Sequence, residues 1–152
     1  MHRSFAITAL ALGLVFTGSV AYAQDGPGRG DGDTPIGDKT RACWGTGCDG
    51  EDPVSKHCNN DAQSVVRYST SLGRLELRHS PACGTSWARI TGARAGTWFY
   101  VQTCYAPYTQ TFRVPRGYTD AYTDMVPGRM GIRVGNLAGH SPCVQPSDAK
   151  RG

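Results

Sequence analysis

The sequence predicts an all-β fold, a small antiparallel barrel or sandwich stapled by disulfides, with an irregular cysteine-rich segment at its N-terminal end. Three observations predict it. Short runs of alternating or β-forming apolar residues recur at close intervals beyond residue 61, with Gly and Pro between them. Gly 20 and Pro 9 in 152 residues punctuate the chain too often for a helical bundle or a coiled coil. Six cysteines, an even number in a short chain, point to covalent cross-links.

The strands follow from periodicity. Arg74-Leu75-Glu76-Leu77-Arg78 alternates strictly, with both leucines on one face and the charges on the other. In that register Glu76 lies between Arg74 and Arg78, where an ion pair is its simplest role. Thr97-Trp98-Phe99-Tyr100-Val101 is dense in β-formers and reads as a strand covered on both faces. Val65-Val66-Arg67-Tyr68, Trp87-Ala88-Arg89-Ile90, Phe112-Arg113-Val114 and Met130-Gly131-Ile132-Arg133-Val134 complete six candidates. The expected core is Leu75, Leu77, Trp87, Ile90, Phe99, Val101, Ile132 and Val134. One helical turn or two is expected near Asp61–Ser64. No internal repeat is visible.

The N-terminus has the grammar of a secretory signal peptide over residues 1–23. His2 and Arg3 precede an apolar run over residues 5–16, and Ala21-Tyr22-Ala23 offers small residues at the two positions a signal peptidase reads. No later segment is apolar enough to span a bilayer, so the cleaved protein is expected to be secreted. Residues 24–42, rich in Gly, Asp and Pro, have too little to bury to repay ordering and read as a flexible linker. One domain is expected over 43–145, with a short tail over 146–152.

Export gives the cysteines their meaning. Cys43, Cys48, Cys58, Cys83, Cys104 and Cys143 are expected to form three disulfides, and spacing does not choose among the fifteen pairings. A thiolate metal site lacks its paired Cys-x2-Cys repeat, so no metal and no cofactor is expected. The acids Asp49, Glu51, Asp52 and Asp61 would hold a cation only if the loop folded back on itself. Asp49-Gly50 and Asp52-Pro53 are equally good turn dipeptides.

Charge divides the chain. Residues 24–61 carry eight acids against four bases, and residues 62–152 carry eleven bases against four acids, a net +7. A basic body attracts anionic partners, with nucleic acid made improbable by export. Catalytic motifs are absent: there is no HExxH, and Gly139-His140-Ser141-Pro142 lacks the second Gly of a nucleophile elbow. His57, His79 and His140 have no partner recognisable by spacing. The stretch from Tyr100 to Tyr122 mixes Tyr105, Tyr108, Tyr118 and Tyr122 with Thr, Gln, Pro and Arg, as contact loops with aromatic anchors do.

Several segments carry a resemblance. Cys43-x4-Cys48-Asp49-Gly50-x-Asp52-Pro53, Cys58-x2-Asp61-Ala62, Glu76-Leu77-Arg78-x-Ser80-x2-Cys83, Trp87-Ala88-Arg89-Ile90 and Thr123-Asp124-Met125-Val126 together resemble the YjfA-like family. The resemblance covers roughly residues 43–143. It implies a small secreted bacterial domain, common in actinobacteria, without an assigned biochemical role, and it supplies no catalytic residue. The chain departs from the pattern where His79 replaces a Tyr, where Cys104 lies in a Tyr-rich insertion and where a late cysteine is missing. The resemblance implies Cys104 as the substitute partner. The function expected is a secreted, non-catalytic binding module that uses Arg74, Arg78, Tyr105, Tyr108, Tyr118 and Tyr122 on a cell-wall polymer, an anionic or glycan-rich envelope component, or a protein partner. A secreted protease inhibitor or a small hydrolase is the alternative.

Overall fold

Strict alternation around Leu75 and Leu77 becomes the middle of a hairpin, β1 (Gln63–Thr70) and β2 (Gly73–Ser80), in the computed structural model, which describes residues 43–146. The described residues fall within one unit, Gly37–Gly152. The signal peptide and linker, 1–42, and residues 147–152 of the tail lie outside the described residues. Pro146 is buried, so the body reaches past residue 145.

The remaining strands are β3 (Thr85–Thr91), β4 (Trp98–Thr103), β5 (Thr109–Arg113), β6 (Ala121–Tyr122), β7 (Val126–Pro127), β8 (Ile132–Asn136) and β9 (Gly139–His140). They form two antiparallel sheets. The first has the order β1-β2-β3-β6 with β7 also on β3, and the second the order β5-β4-β8-β9. No ladder among the described residues joins them into a closed barrel, and no α-helix occurs among those residues. The helical turn expected near Asp61–Ser64 is absent, because Gln63 already enters β1. A 3-10 turn forms instead at Gly45–Cys48.

One aliphatic core joins the sheets. Leu75, Leu77, Ala88 and Ile90 from the first pack with Phe99, Val101, Ile132 and Val134 from the second. A register shift between Ser64 and Val66 places a bulge in β1, and both Val65 and Val66 reach this core. Asn136 Nδ2 donates to Thr70 Oγ1 at 2.9 Å and ties β8 to the end of β1. Opposite Tyr100, β8 carries Gly135, where a Cβ would stand 2.5 Å from the Tyr100 hydroxyl oxygen. The ring lies across the glycine, and a larger residue there would have to displace it.

Trp87 does not belong to that core. Alternation along β3 sends Ala88 and Ile90 inward and Trp87 to the opposite face. There it is buried with Cys48, Cys58, Cys83 and Met125. The cysteine-rich segment covers it as a plate, held by Gly45 N–H to Cys83 O at 2.8 Å, Gly50 N–H to Met125 O at 2.9 Å and Met125 N–H to Glu51 O at 3.0 Å.

All six cysteines are paired, as Cys43–Cys48, Cys58–Cys83 and Cys104–Cys143. Asp61 braces the plate, accepting from Ser80 Oγ at 2.5 Å and from Ala82 N–H at 2.9 Å. Ser80 Oγ in turn accepts from Cys83 N–H at 3.0 Å. Thus the Cys58-x2-Asp61 and Ser80-x2-Cys83 motifs meet in one bracket.

Candidate functional site

Two surfaces of opposite charge lie side by side on the first sheet. The outer face of β1, β2 and β3 carries Arg67, Arg74, Arg78 and Arg89 around one acid, Glu76. Cross-strand pairing sets Arg67 and Arg89 on either side of Glu76, and Arg74 opposite Thr91. Glu76 is only 8% exposed. It lies 3.7 Å from Arg67 Nε and 4.0 Å from Arg78 Nη1, and it accepts from Ser64 Oγ at 2.9 Å. Its partners are therefore Arg67, directly across on β1, and Arg78, two residues on along its own strand, and not Arg74.

The two arginines singled out by sequence have different surroundings. Arg78 is partly buried and donates to Ala62 O at 2.9 Å and Ser64 Oγ at 3.0 Å, which fastens β2 to the exit of the plate. Arg74 is exposed and makes no ion pair or side-chain hydrogen bond among the described residues. It borders a shallow hollow of about 540 Å³ with Ser69, Thr70, Ser71 and Thr91, whose hydroxyls suit polar ligands. Arg89, not singled out by sequence, is exposed and unpaired among the described residues in the same way.

The four loop tyrosines also part company. Tyr108 packs against the aliphatic core and is structural. Tyr105 is 83% exposed, with its ring edge 3.1 Å from where a Cβ would stand on Gly131. Tyr118 and Tyr122 come together with Phe112, Pro115 and Ala121 as the walls of a groove of about 320 Å³ between β5 and β6. Asp52, Asp120 and Asp124 complete its lining. Tyr122 pairs with Arg89 across the strands, so groove and arginine face are contiguous.

The four acids of the cysteine-rich stretch have separate partners. Asp49 Oδ1 accepts from Gln110 Nε2 at 3.2 Å, Glu51 pairs with Lys56 at 3.1 Å and Asp61 braces the plate. Asp52 Oδ1 caps the turn after it, accepting from Val54 and Ser55 N–H at 2.8 Å each, as the Asp-Pro dipeptide favours. Its Oδ2 accepts from the Tyr122 hydroxyl at 3.4 Å. Burial first, then the charge and hydrogen bond of Asp52, push the Tyr122 phenol above its ordinary value. Burial, followed by the charges of Asp52 and Glu51, raises the Asp124 carboxyl. Among the described residues, the three potential ligand atoms mutually within 4.8 Å belong to Cys43, Cys48 and Cys58, all committed to disulfides.

Two of the histidines among the described residues make short polar contacts. His79 Nδ1 lies 3.0 Å from Ser86 Oγ, but Ser86 is fully buried, which suits a cross-strand bond and not a nucleophile. His140 Nδ1 lies 3.0 Å from Ser141 O. On another side of the plate, Arg129 stacks 4.3 Å above the Trp44 ring. That pair borders a hollow of about 300 Å³ with His79 and Pro146.

Fold and surface together define an all-β domain with three disulfides, an open arginine face and an acidic aromatic groove. The chain belongs to the family described as a protein of unknown function (DUF2690), whose model matches residues 46–131. This agrees with the domain without assigned role that the sequence resemblance implied. No curated protein and no solved structure matches the chain. The matched span contains both surfaces and all of the plate except residues 43–45. Within it, Thr123-Asp124-Met125-Val126 serves four environments in turn: Thr123 Oγ1 accepts from Ala88 N–H at 3.1 Å, Asp124 faces the groove, Met125 joins the Trp87 cluster and Val126 the aliphatic core. Among the described residues, no helix is long and apolar enough to cross a membrane.

Proposed function

We propose that this protein is a secreted, non-catalytic binding module of bacterial, YjfA-like type, a two-sheet sandwich whose arginine face engages an anionic or glycan-rich cell-envelope partner. One observation carries the reading: Arg74 and Arg89 stand exposed and without an ion pair among the described residues, on a sheet whose other charges are tied down. Arg67 shares the face, and Arg78 holds the scaffold beneath it. Guanidinium groups fixed on a rigid sheet accept anionic oxygens bidentately, and the hydroxyls beside Arg74 suit sugar or phosphate oxygens. Tyr105 offers an exposed ring for an apolar sugar face. Export is part of the proposal, supported by the signal-peptide grammar and by three disulfides, which persist in oxidising compartments.

The test is retention on isolated cell walls. A basic residue facing an anionic surface contributes about 1 kcal/mol, so Arg74→Ala with Arg89→Ala should weaken retention roughly thirtyfold. Retention should fall steeply as salt rises, since exposed charges are screened. Retention unaltered in the double variant, or turnover of a defined substrate by the pure protein, would overturn the reading.

A further inference from the structure

We infer that the groove between β5 and β6 receives the guanidinium of an arginine side chain carried by a polypeptide partner. The inference stands apart from the arginine face, whose charge would attract the opposite kind of ligand. Three features of the groove select the occupant: the sign of its charge, the spacing of its carboxylates and the nature of its walls.

The charged side chains that line the groove are all acidic. Asp52, Asp120 and Asp124 line the groove, and none makes an ion pair with a cation among the described residues. Asp124 is crowded by Asp52 and Glu51, so like charges are gathered here and a cation relieves them.

The spacing suits a compact cation poorly. No trio of carboxylate oxygens among the described residues lies mutually within 4.8 Å. A metal ion holds its oxygen ligands at about 2.0–2.6 Å and so draws them closer together than that. A lysine ammonium is likewise a compact point charge, whereas a guanidinium spreads five N–H donors over a planar fork and reaches separated acceptors. Asp52 keeps Oδ2 turned toward the groove, because Oδ1 is occupied by the turn and the Tyr122 hydroxyl donates to Oδ2.

The walls are rings. Phe112 is 43% exposed although it packs edge-on against buried Phe99, with centroids 6.4 Å apart and planes at 79°. Tyr118 and Tyr122 are 62% and 39% exposed. Guanidinium planes stack on such faces more readily than hydrated ammonium groups do. A volume of about 320 Å³ open to solvent admits one long side chain entering tip first, which is how an arginine on a partner's loop would arrive.

The probe is a short blocked peptide, acetyl-Gly-Gly-Arg-Gly-amide, titrated into the isotope-labelled protein and followed by amide chemical shifts. Saturable shifts confined to residues 51–53 and 112–124 are expected. The citrulline peptide, neutral but of the same shape, should bind at least about tenfold more weakly, and the lysine peptide should fall between them. Asp120→Asn and Tyr118→Ala should each weaken the arginine peptide several-fold with the thermal midpoint unchanged, since both side chains are exposed. Equal binding of the citrulline peptide, shifts centred on Arg74 and Arg89, or no saturation by about 10 mM would overturn the inference. So would concentration-dependent self-association that Arg74→Ala abolishes, which would make the occupant a second copy of this chain. None of these readouts involves cell walls, so they succeed or fail independently of the wall-binding proposal.

Discussion

β3 buries side chains on both of its faces, yet by different means. On the inner face, Ala88 and Ile90 meet aliphatic side chains delivered by strands of both sheets, and the burial follows from alternation repeated strand by strand. On the outer face, Trp87 is covered by three cysteines and Met125 from segments with little regular structure. The first core supports itself by area removed from water. The second depends on cross-links, because a plate of turns offers few apolar groups against the entropy of ordering it. A short domain can therefore make use of both sides of a sheet, with hydrophobic packing on one and covalent bonds on the other.

The largest effect that separates the two should come from Cys58→Ala with Cys83→Ala. That bridge spans 25 residues, and its loss should cost about 3.5 kcal/mol through the unfolded chain. Hydrogen exchange should accelerate most over residues 43–62, with Trp87 emission shifting to the red. Equal loss of protection in β4 and β8 would show that the plate and the aliphatic core are one cooperative unit.

Next in size, Leu77→Ala should cost about 3 kcal/mol in chemical denaturation, by lost burial and the cavity left behind. Its exchange signature should be the reverse, centred on β2, β4 and β8. A loss below about 1 kcal/mol would mean that the inner core repacks.

The smallest effect concerns Asp124 at the margin of the outer face. Its carboxyl is raised by burial and by Asp52 and Glu51, so the folded state binds a proton that the unfolded state releases. Stability from this group is then lower at neutral pH and recovers as pH falls through the raised value. Asp124→Asn should raise the thermal midpoint slightly at pH ~7 and leave it unchanged at pH ~3, below the ordinary carboxylate range. A lowered midpoint at neutral pH would mean that the carboxylate makes a favourable contact.

Much of the inner core was legible because period-two alternation is a local signal. Leu75, Leu77, Ile90, Phe99, Val101, Ile132 and Val134 all lie in it. Trp87 was expected in the core and is buried, but in the second cluster, because alternation puts it on Arg89's face and only the plate covers it there. The expected helix at Asp61–Ser64 failed because Asp61 is drawn away to Ser80 and Ala82. The groove was invisible as a unit: Asp52, Phe112 and Asp124 are brought together by folding across a wide stretch of sequence. Tyr118 and Tyr122 were named as contact residues, but their acidic neighbours come from elsewhere in the chain. Arg74 was read correctly as outward, and Arg78 was not separable from it by alternation alone.

The disulfides have a further consequence in their order along the chain. Each cysteine is joined to the next one in sequence, first to second, third to fourth and fifth to sixth, so no loop encloses another and none crosses. A chain threaded N-terminus first into an oxidising space presents its cysteines in that same order. On the proposed export, every second thiol to arrive finds its native partner as the one still unpaired, so oxidation in order of arrival gives the observed map. The arrangement also limits error where error is easiest, since the sulfurs of Cys43, Cys48 and Cys58 finish within 4.8 Å of one another. Closing the short Cys43–Cys48 loop first removes both competitors before Cys58 has to choose.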